Sequence, residues 1–492
     1  TGIMTAQMDS VPMIIICGQQ VTWMLGKDAF QEADIFGITI PVVKHNYLVK
    51  ETDSIPRVIR EAHHIATTGR PGPVLVDVPK DISSADFNGD MDPELDLPGY
   101  KPETSYTVDS DKIDEALQLI HKAQRPLVLA GHGIMISGAD AELMELAETL
   151  RCPVTSTLLG KGVFPEEHEL ALGMLGMHGT AFANYATDDC DFLIAVGSRF
   201  DDRVAAVPSQ FAPTAKFIAH FDIDPSEIDK VKSVDWHHVG LLPQSLTRLL
   251  SYGQKEYKFQ ADYSDWHAHV ADLKSTYAMN YDRESEHIQP YAVIEEINKI
   301  TKGEAIVSTG VGQHQMWAAQ YFDFKHPRLW MTSGSMGTMG FGLPAAIGAQ
   351  FAKPDAMVID IDGDASIRMN LGDLETVTTY DLPVKTVVLN NFGDGMVKQW
   401  QKLFFKGRLS ASDKSLHKKN FVKAAEADGF EYAVRLDKKE DLERVVREFI
   451  AYPGPAFLEV IIDPDAGVYP MVGPGSCYAE MITGPFIPTR DG

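Results

Sequence analysis

Short apolar runs alternate with stretches of helical spacing along most of this chain. Pro12–Cys17, Pro73–Val78, Pro126–Ala130, Phe192–Val196, Phe217–Ile223, Ala305–Ser308, Ala356–Ile359 and Lys385–Leu389 read as buried strands. Between them, Ser54–Thr67, the face of Ile113, Leu117 and Ile120, a stretch opened by Pro290, and Leu371–Tyr380 read as helices. Asp224-Pro-Ser-Glu227 has the form of a helix start, with a capping Asp, Pro in the first turn and Glu at the third position. This alternation predicts an α/β protein of parallel sheets flanked by helices. Breaks in the pattern divide it into units at 1–95, 111–255 and 287–466, followed by a Gly/Pro-rich tail at 467–492. Residues 86–110, rich in Pro, Gly and acids, read as a linker. The first unit is expected to begin in mid-domain. With two strands and one helix it cannot bury both faces of a sheet, so it is expected to be the least stable of the three.

The chain has 492 residues, 44% of them hydrophobic, which suits a folded protein of about three domains. Its 69 acids against 44 bases give a net charge of −25. Such a surface repels nucleic acid and anionic membranes, so an anionic substrate needs local positive groups. The four cysteines are scattered without a CxxC pair, as expected for reduced thiols in the cytoplasm. An organellar location would follow if a transit segment preceded Thr1. No apolar run is long enough to span a bilayer.

The most informative stretch is Gly363-Asp364-Ala365-Ser366, at the end of the seventh apolar run. Small residues there let backbone N–H groups close on an anion, and Asp364 is a hard oxygen ligand. Ser366–Leu389 spans 24 residues before Asn390-Asn391. That is a βαβ length, which sets two strand ends side by side at one sheet edge. A carboxylate and a carboxamide placed so suit Mg²⁺ holding a diphosphate. The pattern resembles the Gly-Asp-Gly…Asn-Asn motif of thiamine diphosphate enzymes, with Ala365 in the third place. Gly131-His-Gly133 is not a GxGxxG fingerprint and is weak by itself as a nucleotide signal.

Over nearly its whole length the chain resembles the acetohydroxyacid synthase (acetolactate synthase) catalytic subunits. The likeness rests on Asp28-Ala-Phe-Gln-Glu32, Gly69-Arg-Pro-Gly-Pro-Val, Leu175-Gly-Met-His-Gly179, Arg199-Phe-Asp-Asp-Arg203-Val, Gly310-Val-Gly-Gln-His-Gln-Met-Trp317, Gly337-Thr-Met-Gly-Phe-Gly-Leu-Pro344 and Gly395-Met-Val-Lys-Gln-Trp400. It implies a pyrimidine-binding domain, a central Rossmann-like FAD-binding domain and a diphosphate domain, in a homodimer or homotetramer with active sites between subunits. A separate regulatory subunit is a further family expectation. The implied reaction decarboxylates pyruvate on thiamine diphosphate and transfers the hydroxyethyl unit to pyruvate or 2-ketobutyrate, in branched-chain amino-acid synthesis.

By the same resemblance, Asp364, Asn391 and the Gly393 carbonyl match the Mg²⁺ ligands. Gly312, Gln313, His314, Gly363, Ala365, Ser366 and Met396 match positions around thiamine diphosphate, and Met339 the apolar prop that bends it. Arg203 matches the arginine receiving the acceptor carboxylate, and Trp400 the wall of the acceptor pocket. Phe30, Gln31, Lys80 and Met177 match other site positions. Arg70, His178, Gly179, Arg199 and Asp222 lie in stretches matching FAD contacts. Val21 stands where the family has a channel-lining proline. The glutamate that protonates the aminopyrimidine belongs to a stretch ahead of position 1, so weak activity is expected of the chain as written. Two alternatives stay open at this point. One is another thiamine diphosphate carboligase or decarboxylase; the other is a non-catalytic fragment or paralogue.

Overall fold

The structure, a computed structural model, describes residues 1–100, 109–256 and 262–490. The chain divides into two compact units, Thr1–Ser105 with Ser333–Thr338, and Tyr106–Thr332 with Met339–Gly492. Most of the C-terminal part of the expected linker, residues 101–108, lies outside the described residues.

The first unit carries three parallel strands, β1 (Met13–Gln19), β2 (His45–Leu48) and β3 (Pro73–Pro79), in the order β1-β3-β2. Central β3 is a buried apolar run. The helix Ile55–Thr67 lays Val58, Ala62, Ile65 and Ala66 on Val74 and Val76, with Pro56 in its first turn. Two expectations are corrected here. The unit has a third strand, β2, whose His-Asn-Tyr-Leu sequence carries no apolar signal. A helix, Gly2–Met8, also precedes β1, so the unit has more than the one helix expected. The premise of a two-strand sheet with one helix is therefore wrong.

The second unit holds two six-stranded parallel sheets. One comprises β4 (Pro126–Ala130), β5 (Val154–Ser156), β6 (Ala171–Met174), β7 (Phe192–Val196), β8 (Phe217–Asp222) and β9 (Trp236–Val239), in the order β6-β5-β4-β7-β8-β9. The other comprises β10 (Ile306–Thr309), β11 (Trp330–Met331), β12 (Val358–Gly363), β13 (Lys385–Asn390), β14 (Tyr432–Leu436) and β15 (Ala456–Ile461), in the order β11-β10-β12-β13-β15-β14. The period of two decides which core each side chain joins. Leu127, Leu129, Leu193 and Ala195 pack on one side of the first of these sheets, and Val128, Ala130, Ile194 and Val196 on the other. Asp224-Pro-Ser-Glu227 makes only a single 3₁₀ turn: Asp224 accepts from the Ser226 amide, and no helix follows.

Strand order places the two crevices of this unit. In the first sheet the chain runs outward from β4 to β5 and β6, then returns to β7 on the other side. In the second it leaves β10 for β11 and returns to β12. At such reversals the connections diverge above the carboxyl ends of two neighbouring strands, which opens a cleft for ligands.

A buried ion pair serves this unit. The Lys161 ammonium contacts Glu166 at 2.5 Å and lies 5.7 Å from the Phe324 ring centroid. Burial pushes the Glu166 carboxyl up while Lys161 pulls it down. Lys161→Met leaves that carboxylate buried without a counter-charge. It is expected to cost about 3–5 kcal/mol, seen as a lower denaturation midpoint that Lys161→Met/Glu166→Leu largely restores.

Candidate active site

At the carboxyl edge of the β10–β12–β13 sheet, three oxygens without protons face one another. Asp364 follows β12, and Asn391 and Gly393 follow β13. The Asn391 side-chain oxygen lies 3.2 Å from Asp364 Oδ1 and 3.0 Å from the Gly393 carbonyl. Turning the carboxamide over would let its nitrogen donate to both. It would also break the bond from Asn391 Nδ2 to Gln313 Oε1 at 3.0 Å and set two acceptors against each other. Gln313 cannot turn to compensate, because its own nitrogen donates to Gln399 Oε1 at 2.9 Å and to the Ala466 carbonyl at 3.1 Å. A chain of amides thus holds the Asn391 oxygen toward Asp364 and Gly393. Asp364 is buried, and its Oδ2 has no hydrogen-bond partner. Oxygens so arranged repel unless a hard cation sits among them. Among the described residues no three His, Cys, Asp or Glu side chains form a metal cluster. This site instead draws on one carboxylate, one carboxamide and one carbonyl.

Glycines let the surrounding loops and side chains approach closely. A Cβ on Gly310 would lie 2.0 Å from Asp362 Oδ1 and 2.2 Å from Ser366 Oγ. One on Gly363 would lie 2.5 Å from His314 Nδ1, and one on Gly395 2.0 Å from Gln313 Oε1. Ser366 Oγ accepts from the amides of Val311 and Gly340, tying the β10 loop and the Met339 loop to the turn after β12. Gly312 opens the helix Gln313–Tyr321, and Met396 sits in the helix Gly395–Phe404. Buried His314 has its pKa pushed down to about 3 by burial, against a bond to the Gly310 backbone. It is therefore neutral beside Asp362, 3.4 Å away, and this contact is no ion pair. Its Nε2 has no partner. An unpartnered buried carboxylate oxygen, an unpartnered imidazole nitrogen and turns built of glycine fit a metal-bound diphosphate.

The second crevice lies above β4 and β7. Gly131 and Gly197 approach so closely that a Cβ on Gly131 would meet the Gly197 carbonyl at 2.0 Å, and one on Gly133 would meet the Gly197 Cα at 2.7 Å. Asp222 ends β8 beside them and accepts from the Asp224 amide. Buried Ser198 Oγ and His178 Nδ1 have no partner. Burial, with the Arg203 charge adding, pushes His178 down to about 4 against a bond to the Pro470 backbone. His178 and Gly179 follow β6, and Arg199 follows β7, its guanidinium 3.5 Å from Asp201. A switch-point crevice with glycine edges, an acid at the next strand end and unpartnered polar atoms fits a dinucleotide such as FAD. Sequence reasoning set the Gly131 and Gly133 pair aside. Its partner, Gly197, is 64 residues away, beyond the reach of any local motif.

Met177 and Arg203 meet: Arg203 Nη1 lies 3.2 Å from the Met177 sulfur, and the Met177 amide donates to the Arg203 carbonyl at 2.8 Å. Arg203 Nε lies 3.8 Å from Asp202. Trp400 packs edge-on to Phe404 and lines a cavity of about 250 Å³ with Phe405, Pro474 and Ile482. In the first unit, Gln31 has a left-handed backbone (φ 59°) and Phe30 is 82% exposed, in a loop that Glu32 closes by accepting from the amides of Gly26 and Ala29. Lys80 begins the helix Lys80–Ser84 directly after β3, and Arg70 donates to Ser10 Oγ at 2.9 Å. Val21 holds φ −58°, an angle proline would also adopt. Sequence reasoning also missed Gln399 and Arg368. Arg368 donates to the Asp364 carbonyl at 2.8 Å and places its guanidinium 4.0 Å from the Asp364 carboxylate.

Comparison with known proteins identifies the family. Residues 310–460 match the family described as thiamine pyrophosphate enzyme, C-terminal TPP binding domain, and residues 113–249 match thiamine pyrophosphate enzyme, central domain. The acetolactate synthase large subunit of Corynebacterium glutamicum is 43% identical over 98% of this chain and 77% of its own length. The chloroplastic acetolactate synthase 2 of Nicotiana tabacum is 42% identical over 98% of this chain and 73% of its own. The acetolactate synthase of Mycobacterium leprae is 43% identical over 98% and 77%.

Asp364 yields a pH test that needs no substrate. Burial pushes its carboxyl up to about 6, against the pull of Arg368 and the amides of Gly393 and Asn391. The folded value lies above the ordinary one, so the fold penalises the ionised form. The penalty is absent below about pH 4 and full above about pH 6, where two pKa units amount to about 3 kcal/mol. Relative to Asp364→Asn, the wild-type protein without Mg²⁺ is expected to lose up to that much stability as pH rises through this window. Millimolar Mg²⁺ is expected to remove the difference, and thermal midpoints of the two proteins across pH 4–7 measure it.

Proposed function

The chain belongs to the acetolactate synthase large-subunit family of thiamine diphosphate enzymes, and from that premise we propose how its own residues perform the reaction. The activity is decarboxylation of pyruvate and transfer of the remaining two-carbon unit to a second 2-keto acid, a step toward the branched-chain amino acids. When bound, thiamine diphosphate supplies the electron sink for decarboxylation, Mg²⁺ neutralises its diphosphate, and FAD does no net redox work in this family.

The reading rests above all on the convergence of the Asp364, Asn391 and Gly393 oxygens. These three hold Mg²⁺, and the Gln399–Gln313 amide chain keeps Asn391 turned to it. Gly312, Gln313, neutral His314, Gly363, Ala365 and Ser366 would hold the diphosphate, and Met339 and Met396 would offer the cofactor apolar contacts. Arg203, steadied by Met177, receives the acceptor carboxylate with a guanidinium suited to two parallel hydrogen bonds. Trp400 bounds the acceptor side chain. His178, Gly179, Arg199 and Asp222 take FAD at the β4–β7 crevice. The roles of Arg70 in FAD binding, and of Phe30, Gln31 and Lys80 in substrate handling, rest on the family likeness alone.

We assign residues 1–95 to pyrimidine binding, 111–255 to FAD binding and 287–466 to diphosphate binding, with 467–492 as the tail. The enzyme works as an oligomer. A homodimer or homotetramer open to a separate regulatory chain is the form we favour, since the C. glutamicum relative is described as a large subunit. Among the described residues no helix is long and apolar enough to cross a membrane. We place the work in the cytoplasm or, as the chloroplastic name of the N. tabacum relative suggests, in an organelle.

Two substitutions test the assignments. Asp364→Ala is expected to abolish Mg²⁺-dependent binding of thiamine diphosphate while FAD content stays unchanged; calorimetric titration of each cofactor reads this, and unaltered thiamine diphosphate affinity would remove the metal assignment. Trp400→Leu is expected to lower the preference for 2-ketobutyrate over pyruvate, by about 1–3 kcal/mol for one methylene against an apolar wall. Product ratios under direct competition give that number, and an unchanged ratio would exclude Trp400 from the role.

A further inference from the structure

One layer behind the oxygens of the cation site lies a second polar chain. Glu459, on β15, is fully buried although it is charged. In the β13–β15 register Val388 faces Glu459 and Asn390 faces Ile461, so Asn390 and Glu459 are diagonal neighbours on one face of the sheet. One Glu459 oxygen accepts from Asn390 Nδ2 at 2.8 Å. The other accepts from Arg435 Nε and Nη2, each at 2.8 Å, across the edge strand β14. The carboxamide oxygen of Asn390 points the other way and accepts from the Phe392 amide at 2.9 Å.

A carboxamide has nearly the same shape at both ends, so its partners decide which end is oxygen. An ionised carboxylate only accepts. Glu459, with its charge balanced by Arg435, therefore takes the NH₂ end of Asn390 and leaves the oxygen for the turn. That turn needs a tie. Phe392 has a left-handed backbone, φ 56°, which a residue with a Cβ seldom adopts. On its far side the turn is held by bonds from the Lys414 amide to the Phe392 carbonyl and from the Asp394 amide to the Ser412 carbonyl. On its near side Asn390 makes the tie. Between these anchors the turn presents the Asn391 side chain and the Gly393 carbonyl, two of the three oxygens that converge with Asp364.

We infer that Glu459 and Asn390 are positioning residues for the cation. Arg435 balances Glu459, Glu459 orients Asn390, and Asn390 sets the turn whose oxygens meet the metal. The inference rests on the cation assignment made above and extends it to residues that touch neither metal nor substrate. Partners of this kind, one bond removed from the ligands, typically set metal affinity by about 10–100-fold.

The full-length protein with FAD bound is titrated with Mg²⁺ at a fixed concentration of thiamine diphosphate, followed by calorimetry. Asn390→Ala is expected to raise the half-saturating Mg²⁺ concentration about 10–100-fold. FAD content and, at saturating Mg²⁺, the KM for pyruvate are expected to hold. Asn390→Ser keeps a hydroxyl that can accept from the Phe392 amide but is too short to reach Glu459. It is expected to fall between the two, and it decides the question if Asn390→Ala does not fold. Glu459→Gln, whose NH₂ must face a donor on one side or the other, is expected to behave like Asn390→Ala. A merely structural role would lower the melting temperature and leave the Mg²⁺ requirement where it was. Unchanged half-saturation in the folded Asn390 variants, with Asp364→Ala abolishing the Mg²⁺ response, would overturn the positioning role alone. An unchanged response in Asp364→Ala as well would overturn the cation assignment and this inference with it.

Discussion

The mutual repulsion of three aprotic oxygens governs the carboxyl edge of the β10–β12–β13 sheet. Asp364, Asn391 and the Gly393 carbonyl come from two strand ends that the sheet holds side by side, and a chain of amides keeps the Asn391 oxygen turned inward. Left alone, the arrangement is unfavourable, because burial makes the Asp364 charge costly. A hard divalent cation turns that cost into binding energy. The same desolvation that makes the carboxylate poor company for its neighbours makes it a strong ligand, which is how folding and metal affinity become linked.

Topology explains why both crevices of the second unit lie where they do. Each sits above a pair of neighbouring strands from which the connections depart in opposite directions, β4 with β7 and β10 with β12. The glycines there serve two ends. At Gly131 and Gly197 they let two backbones pass within reach of each other. At Gly310, Gly363 and Gly395 they keep the space beside Ser366, His314 and Gln313 clear of side chains. A single methyl group at any of these points would collide with backbone or with a ligand-orienting side chain.

What could be read from the sequence follows the range over which each signal acts. Central strands such as β4, β7, β12 and β13 are buried on both faces, so their apolar runs are continuous and visible. Strands such as β2 and β9 read His-Asn-Tyr-Leu and Trp-His-His-Val and give no such run. The Asp364 and Asn391 pair was legible because a βαβ length separates them. The helix expected after Asp224 shrank to one turn because Ile228 is extended and Asp229 takes a left-handed backbone, φ 57°. Gln399, Gly197, Arg435 and Glu459 were invisible for another reason: their partners lie 24 to 86 residues away, and only the register of the sheets or the packing of a helix brings them together.

The net charge of −25 raises the question of how the protein binds anions at all. At the proposed diphosphate edge the fixed positive charge is largely engaged elsewhere: Lys414 pairs with Asp394 at 2.5 Å, and buried Lys398 packs against Gly393. His314 is held neutral by burial, Gln313 is a carboxamide, and Arg368 is partly taken up by the Asp364 backbone. In the proposed reading the charge would come with the cation, for which Asp364, Asn391 and Gly393 supply oxygens. The site proposed for the acceptor keto acid differs. Arg203 is a permanent charge in a turn, anchored through its own carbonyl to the Met177 amide and through its guanidinium to the Met177 sulfur. A lysine there would offer a point charge without the planar fork that fixes a carboxylate in one orientation. Orientation matters more than attraction at that step, because the carbon–carbon bond forms only when the acceptor's carbonyl carbon faces the two-carbon unit. On the proposed assignments the two anions would be recognised on different terms, one through a metal ion held by aprotic oxygens and the other through a directional cation built into the chain.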